Sequence, residues 1–203
     1  MRDPLRESST RMPVGRSGVH VQASAVRARE AYVQASHGGL AAVQRLRSMA
    51  TMELRALLVD PDARGWVDYE LFVEVVGLVD RCFGRGDLGL AWEAGRFAAS
   101  HDVGLVRSLF VRSVSPSTMM SLAASVWSRH YDAGKLVVKP QGRTGLSIEI
   151  ADFPATHRAH CLSVGGWLLG TLEQGPRKES RVEERGCRAL GQPTCSFDLT
   201  WSE

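Results

Sequence analysis

At Asp132-Ala-Gly134 the spacing of apolar residues changes from the 3.6-residue period of a helix to the two-residue period of a strand. That switch constrains the fold more than any other feature of the chain. Upstream, apolar residues recur three and four apart; downstream, two alternating segments, a small-residue helix and two further alternating segments follow. The order is a helical N-terminal half followed by β-β-α-β-β. An α+β domain with an antiparallel sheet is the expected fold.

The helical half divides at its caps and breakers. Val21 to Gln34 reads as a helix stopped by His37-Gly38-Gly39, and Leu40 to Arg47 as a second. Met52 to Leu58 reads as a third, ended by Asp60-Pro61. Asp68 opens a longer one with Leu71, Phe72, Val75, Val76 and Val79 on one face. Asp87 caps the next, which carries Leu88, Ala91, Trp92, Gly95 and Ala98. Val103 to Phe110 is a short apolar helix. Ser115-Pro116 starts one that runs through His130, with Met119, Leu122, Ala123, Val126, Trp127 and His130 as its stripe.

In the second half, Lys135 to Pro140 and Gly145 to Ala151 form a hairpin, and Phe153-Pro154 introduces a helix to Glu173. Its Gly165, Gly166 and Gly170 suit close packing on a sheet. Ser180 to Ala189 and Thr194 to Trp201 form a second hairpin around Leu190-Gly-Gln-Pro193.

Residues 1–17 are polar and broken by Pro, Gly and Ser, and read as a disordered basic tail ahead of one domain over 18–203. The tail holds four Arg against Asp3 and Glu7, so its net +2 leaves only +1 of the formal +3 for the folded part. No basic stripe points to nucleic acid. No stretch reaches the roughly 18 to 20 apolar residues of a membrane span. The expected protein is soluble and cytoplasmic, where thiols stay reduced.

The chemistry is concentrated near the C-terminus, in Cys161 and the run Glu184-Arg-Gly-Cys187-Arg-Ala-Leu-Gly-Gln-Pro-Thr-Cys195-Ser-Phe. A hairpin centred on Gly191 opposes Cys187 to Cys195. Strict alternation turns Glu184 away from Cys187, unless a bulge at Gly186 resets the register; without it, Glu183 is the better-aimed carboxylate. Cys161 comes from the preceding helix. Three thiols and a carboxylate close a four-ligand zinc shell with no open position, which makes a staple rather than a catalyst. Three buried cysteines filling a core, or a Cys187–Cys195 disulfide with a redox role, use the same residues.

Glu-x2-Cys-x7-Cys-x-Phe with Gly-Gln-Pro inside it resembles the 4-vinyl reductase domain family. That family belongs to the TRAPP-like and haem-nitric-oxide-binding-like ligand-binding superfamily. The spacing from Cys161 to Glu184 is similar to the zinc site in sensor domains of phenol-responsive bacterial activators. Upstream, Val21-Gln-Ala-Ser-Ala-Val-Arg-Ala-Arg, Gly86-Asp87 and Trp127-Ser-Arg-His-Tyr-Asp-Ala-Gly134 resemble stand-alone myxobacterial proteins of this superfamily. The resemblance implies structural zinc on Cys161, Glu184, Cys187 and Cys195. It implies a ligand pocket between sheet and helices, for which Trp127, His130 and Tyr131 are the residues to test. The Tyr-x-Ser-x-Arg run that clamps haem propionates in the nitric-oxide sensors is missing, so no haem is expected.

Other features have plain structural readings. Gly84-Arg-Gly-Asp-Leu-Gly89 matches G-x-G-x-x-G but follows a helix rather than a strand, so no nucleotide is expected. His160 and Cys161 are helix neighbours pointing about 100° apart, not a catalytic pair. Cys82 reads as a buried thiol. With no nucleophile, base and orienting group together, the chain is not read as an enzyme. Two classes stay open: a homodimeric sensory module that binds a small apolar or aromatic ligand and signals through a protein partner, or a dimerising TRAPP-like scaffold with a closed core.

Overall fold

The computed structural model describes residues 16–60, 65–101, 125–174 and 178–202. Strand β1 (His20–Gln22) leads into helices α1 (Ala23–Ser36), α2 (Gly39–Met49) and α3 (Met52–Val59). Strand β2 (Trp66–Asp68) leads into α4 (Tyr69–Phe83) and α5 (Gly89–His101). A helical stretch at 125–130, here α6, precedes strands β3 (Lys135–Pro140) and β4 (Gly145–Ala151). Helix α7 (Arg158–Glu173), β5 (Lys178–Gly186) and β6 (Cys195–Ser202) complete the chain. The expected helix over 103–110, and the first turns of the one from Ser115, lie outside the described residues, as do residues 1–15 of the expected tail. Arg16 and Ser17 are described, and they contact Asp68 and Glu70.

The α+β class with an antiparallel sheet is what the chain forms. Four strands pair antiparallel in the order β3-β4-β6-β5. Val138 opposes Ile148, and Ile148 opposes Phe197, so Leu136, Val138, Leu146, Ile148, Ile150, Phe197 and Leu199 share the buried face. A second sheet was not legible in the spacing. In it β1 pairs with β2, Val21 opposite Val67, which ties the start of the domain to the first turn of α4. At three residues each, these strands are too short to show alternation.

Helix α4 is the centre of the helical half. One apolar face was expected, but Val73 and Leu78 are buried as well as Leu71, Phe72, Val75, Val76 and Val79, because α1, α2, α3, α5 and α7 surround it. Its buried Asp80 accepts N–H donations from Leu88 and Leu90, both at 3.0 Å, and Asp87 accepts from Gly89. The glycine-rich turn therefore spends the N–H groups of Leu88, Gly89 and Leu90 on carboxylates, as at a capped helix start.

The glycines of α7 do not chiefly meet the sheet. They pack on α5: a Cβ on Gly166 would lie 2.0 Å from the Trp92 carbonyl oxygen, and one on Gly95 would lie 2.1 Å from the Ser163 carbonyl oxygen. Only glycine lets two helix backbones approach this closely. Gly165 sits against both the Trp92 ring and Phe197 of β6, so α7 is wedged between helix and sheet.

Candidate functional site

Two places in this fold gather side chains that could hold something, and α7 contributes to both. The first lies where the β5–β6 hairpin meets the N-terminal turns of α7. Pairing slips by one residue between Glu184 and Gly186, the bulge expected at that glycine. Gly186 then opposes Ser196, so the next positions toward the turn are Cys187 and Cys195. Cys161 comes down from α7. The three sulfurs lie within 4.8 Å of one another, with Cys161 and Cys195 at 3.2 Å, and all three residues are buried. A backbone N–H from Arg188 donates to the Cys195 sulfur at 3.3 Å.

Glu184 lies outside that group of three but beside it, on the inward face of β5. Its carboxylate is held by Arg158, whose Nη1 donates to Oε1 at 2.6 Å and also to Oε2. The sequence reading missed Arg158. Its signal was available, because Arg158 precedes Cys161 by one helical turn and so shares its face. Burial pushes the Glu184 carboxyl up, and Arg158 opposes that rise. Among the thiols, Cys187 is the acidic one: Cys161 and Cys195 hydrogen-bond to its sulfur and the Arg158 guanidinium stands by it. Cys161 moves the other way, since its proton is held between the other two sulfurs and it is deeply buried. The corner thus keeps one thiolate ready beside a cation, with two more sulfurs in reach.

Next to Cys161, His160 is fully enclosed by rings. It stacks on Phe153 at 5.1 Å and meets Tyr69 and Tyr131 edge-on, each at 5.2 Å. Burial, with the nearby His157 and Arg29, pushes its imidazole down to about 3. It is therefore neutral at ordinary pH. Its Nε2 and the Tyr69 hydroxyl are buried without a hydrogen-bond partner among the described residues. This is the aromatic packing of a core histidine, and the sequence reading of His160 as no partner to Cys161 in catalysis stays an expectation.

The second place is a cavity of about 60 Å³ between α1, α4, α5, α6 and α7. Trp127, His130 and Tyr131 all line it, joined by Phe72, Leu136 and Trp167. Trp127 and Tyr131 stack at 4.3 Å, and the Trp127 indole N–H donates to the Ala133 carbonyl at 2.9 Å. Two polar residues, neither foreseen, complete the wall. Arg29 of α1 is only 4% exposed, lies over the Phe72 ring at 5.0 Å and donates to the Ser163 hydroxyl of α7. No sequence pattern could pair residues 134 apart. The cavity is smaller than the roughly 150 Å³ that takes benzene. An aromatic ligand enters only if side chains move aside.

A polar groove of about 540 Å³ runs over β5 and β6, and three of its charges serve each other. Arg185 pairs with Asp198 at 2.7 Å and with Glu183 at 2.9 Å. Among the described residues no helix is long and apolar enough to cross a membrane.

No family model matches the sequence, and no curated protein matches it. Solved structures match the fold. An H-NOX domain from Shewanella oneidensis in the Fe(II)CO ligation state has a TM-score of 0.62 at 10% identity, covering 90% of this chain and 99% of that one. An H-NOX protein from S. oneidensis in the Fe(II)NO state gives 0.61 at 12% identity, again over 90% and 99%. Fe(II) unliganded H-NOX protein from K. algicida gives 0.58 at 12% identity, over 90% and 97%. The chain therefore shares the fold of these H-NOX structures.

That likeness corrects one expectation. Haem was excluded because a propionate-clamping motif is missing, yet the structures that share this fold include H-NOX proteins with iron bound as Fe(II), so a missing motif does not exclude haem. The described residues include the donor types a porphyrin uses, an imidazole at His130 and a guanidinium at Arg29 on one wall. The volume does not match. At about 60 Å³ the cavity is far below the ~300 Å³ at which cofactor-sized pockets begin, so in this conformation it does not enclose a macrocycle.

Proposed function

We propose that this chain is a small-molecule-binding sensory module whose cavity at Trp127, His130 and Tyr131 is the input. In the same reading the cysteine corner is a structural zinc site that holds the hairpin to α7, and a protein partner reads the output. The observation that carries the reading is the cavity, lined by aromatic groups and by a buried charge, in the α+β fold shared with H-NOX proteins. Loss of contacts around an unfilled cavity costs stability, so a ligand that fills it has a driving force.

The zinc reading rests on distance and charge. Sulfurs at ~2.3 Å from a tetrahedral ion lie about 3.8 Å apart, within the span of the three cysteines here. Glu184 completes the shell by turning from Arg158 to the ion. Three thiolates and a carboxylate around Zn²⁺ leave an excess of negative charge, and Arg158 offsets part of it. These four residues, and the 4-vinyl reductase pattern that suggested them, go together in this reading. No catalytic constellation accompanies them among the described residues, and the module is proposed as a binder and not an enzyme. It is proposed to act in the cytoplasm.

One experiment tests both halves. Freshly purified protein is examined by native mass spectrometry, elemental analysis for zinc and iron, and visible absorbance before and after adding hemin. About one zinc per chain together with a retained small molecule or a Soret band supports the module. Metal-free protein of unchanged stability overturns the zinc reading. Repeated absence of any bound molecule, with no uptake of hemin, overturns the sensory one.

A second reading has its own observation. Leu40 and Met49 of α2, Met52 and Val59 of α3, and Trp66 of β2 are exposed, Met52 at 89%. Apolar residues left outside on neighbouring helices suit a dimerising scaffold. A tight homodimer with an empty cavity is the result that favours it.

A further inference from the structure

Strand β5 (Lys178–Gly186) is the last strand of its sheet and pairs with β6 alone, so among the described residues its other edge keeps unpaired backbone N–H and C=O groups. Side chains along it alternate: Arg181, Glu183 and Arg185 are exposed, while Val182 and Glu184 between them are half-buried. The register to β6 shifts between Lys178 and Arg181 and again between Glu184 and Gly186, so the regular part of the edge is Arg181 to Glu184. The groove of about 540 Å³ follows this strand, lined by residues of both its faces and by Leu169 of α7. Charges on the exposed face do not balance where they stand. Glu183 lies opposite Asp198 of β6, and Arg185 serves both carboxylates, which leaves one negative charge over. Arg181, two residues from Glu183, has no ion pair among the described residues.

A second copy of the same strand corrects that imbalance. Two copies related by a two-fold axis run antiparallel, and a continuous sheet sets residues of the same face opposite each other. With Val182 on the axis, Arg181 falls opposite Glu183 of the second copy, and Glu183 opposite its Arg181. The next same-face register on either side puts Arg181 opposite Arg181, or Glu183 opposite Glu183. Opposite charges across a strand pair stabilise it and like charges destabilise it, so this edge accepts itself in one register. We propose that β5 is a self-pairing edge, at which two copies of this chain join antiparallel about Val182 and continue each other's four-stranded sheet. Main-chain hydrogen bonds and the apolar Val182 and Leu169 supply the contact. The exposed ion pairs, worth little in energy, set the register. This surface shares no residue with the cavity or with the exposed residues of α2 and α3, so what the cavity binds does not bear on it.

The test is sedimentation velocity of the full chain from about 1 to about 500 μM, the range in which a small interface associates. A concentration-dependent dimer, weaker in high salt, is expected. Arg181→Glu and Glu183→Arg each set like charges opposite one another and weaken self-association about 10- to 100-fold. Both substitutions in one chain restore it, because the pairs are only exchanged. Mixing the two single variants also restores it, since every pair across the strands is then opposite in sign. Both side chains are exposed, so circular dichroism should show the fold unchanged. Met52→Glu, on α3, leaves the dimer as it was. Protein that stays monomeric at about 500 μM, or a dimer indifferent to both single variants, overturns the proposal. A dimer lost to Met52→Glu instead belongs to the scaffold reading and overturns it too. Failure of both the double variant and the mixture to recover association overturns the register, and with it the proposal.

Discussion

The cysteine corner and the cavity both draw side chains from helix α7, yet they are written into the chain in different ways. The corner draws three of its four residues from one run of twelve, Glu184 to Cys195, and a hairpin with one bulge is enough to bring them together. The cavity takes Arg29 from α1, Phe72 from α4, Trp127 to Tyr131 from the end of α6, and Ser163 to Trp167 from α7. A site made by local chain geometry survives small errors in packing. A site made by the meeting of several elements is only as good as the packing of all of them.

The comparison breaks most sharply at Trp127. Trp127→Ala removes a buried indole and is expected to cost about 3–5 kcal/mol, enlarging the cavity while zinc content stays unchanged; denaturant unfolding and elemental analysis on one preparation read both. If zinc falls with it, the two regions are not separable. The converse variant, Cys187→Ser, is expected to abolish zinc binding and cost about 3 kcal/mol, or roughly 6–12 °C in Tm. Calorimetry should show that loss while cavity binding at low temperature persists.

Gly166→Ala sharpens the contrast by striking the seam common to both. Its new Cβ meets the Trp92 carbonyl, so α5 and α7 must part, at a cost of about 2 kcal/mol. Ligand affinity and zinc retention should both decline. The smallest effect is one of pH. Burial raises the Asp132 carboxyl, but the backbone N–H and imidazole of His20 outweigh it and hold it below its ordinary 3.8. A depressed carboxyl stabilises fully above its unfolded value, and the contribution is lost as pH falls through the lower folded one. With both side chains more than a third exposed, Asp132→Asn should flatten that acid limb by less than about 0.5 kcal/mol. Urea midpoints between pH 5 and pH 2 measure it.

What the sequence disclosed follows the same division. The hairpins, the bulge at Gly186 and the helices from Met52 and Asp68 were legible, because each is set by local periodicity and turn chemistry. The choice between Glu184 and Glu183 turned on a bulge at Gly186, and the register does shift there. Arg158 was missed although its spacing from Cys161 was visible, since an arginine is not a ligand type. Arg29 was hidden more deeply: it lies mid-helix in α1, and only the approach of α7 makes it part of a wall. The glycines of α7 were read as close packing on a sheet; their main partner, α5, depends on tertiary arrangement. The expectation of no haem failed because an absent motif was used as evidence about a fold.

The close contact of α5 with α7 has a mechanical consequence. At Gly95 and Gly166 backbone meets backbone, and at Gly165 the Trp92 ring is clamped, so the two helices form a joint with little play. A push on Ser163 or Trp167 from inside the protein cannot be absorbed at that joint by a rotamer change. It must turn or tilt α7 as a rod, and the N-terminal turns of that rod carry Cys161 and Arg158 against the hairpin.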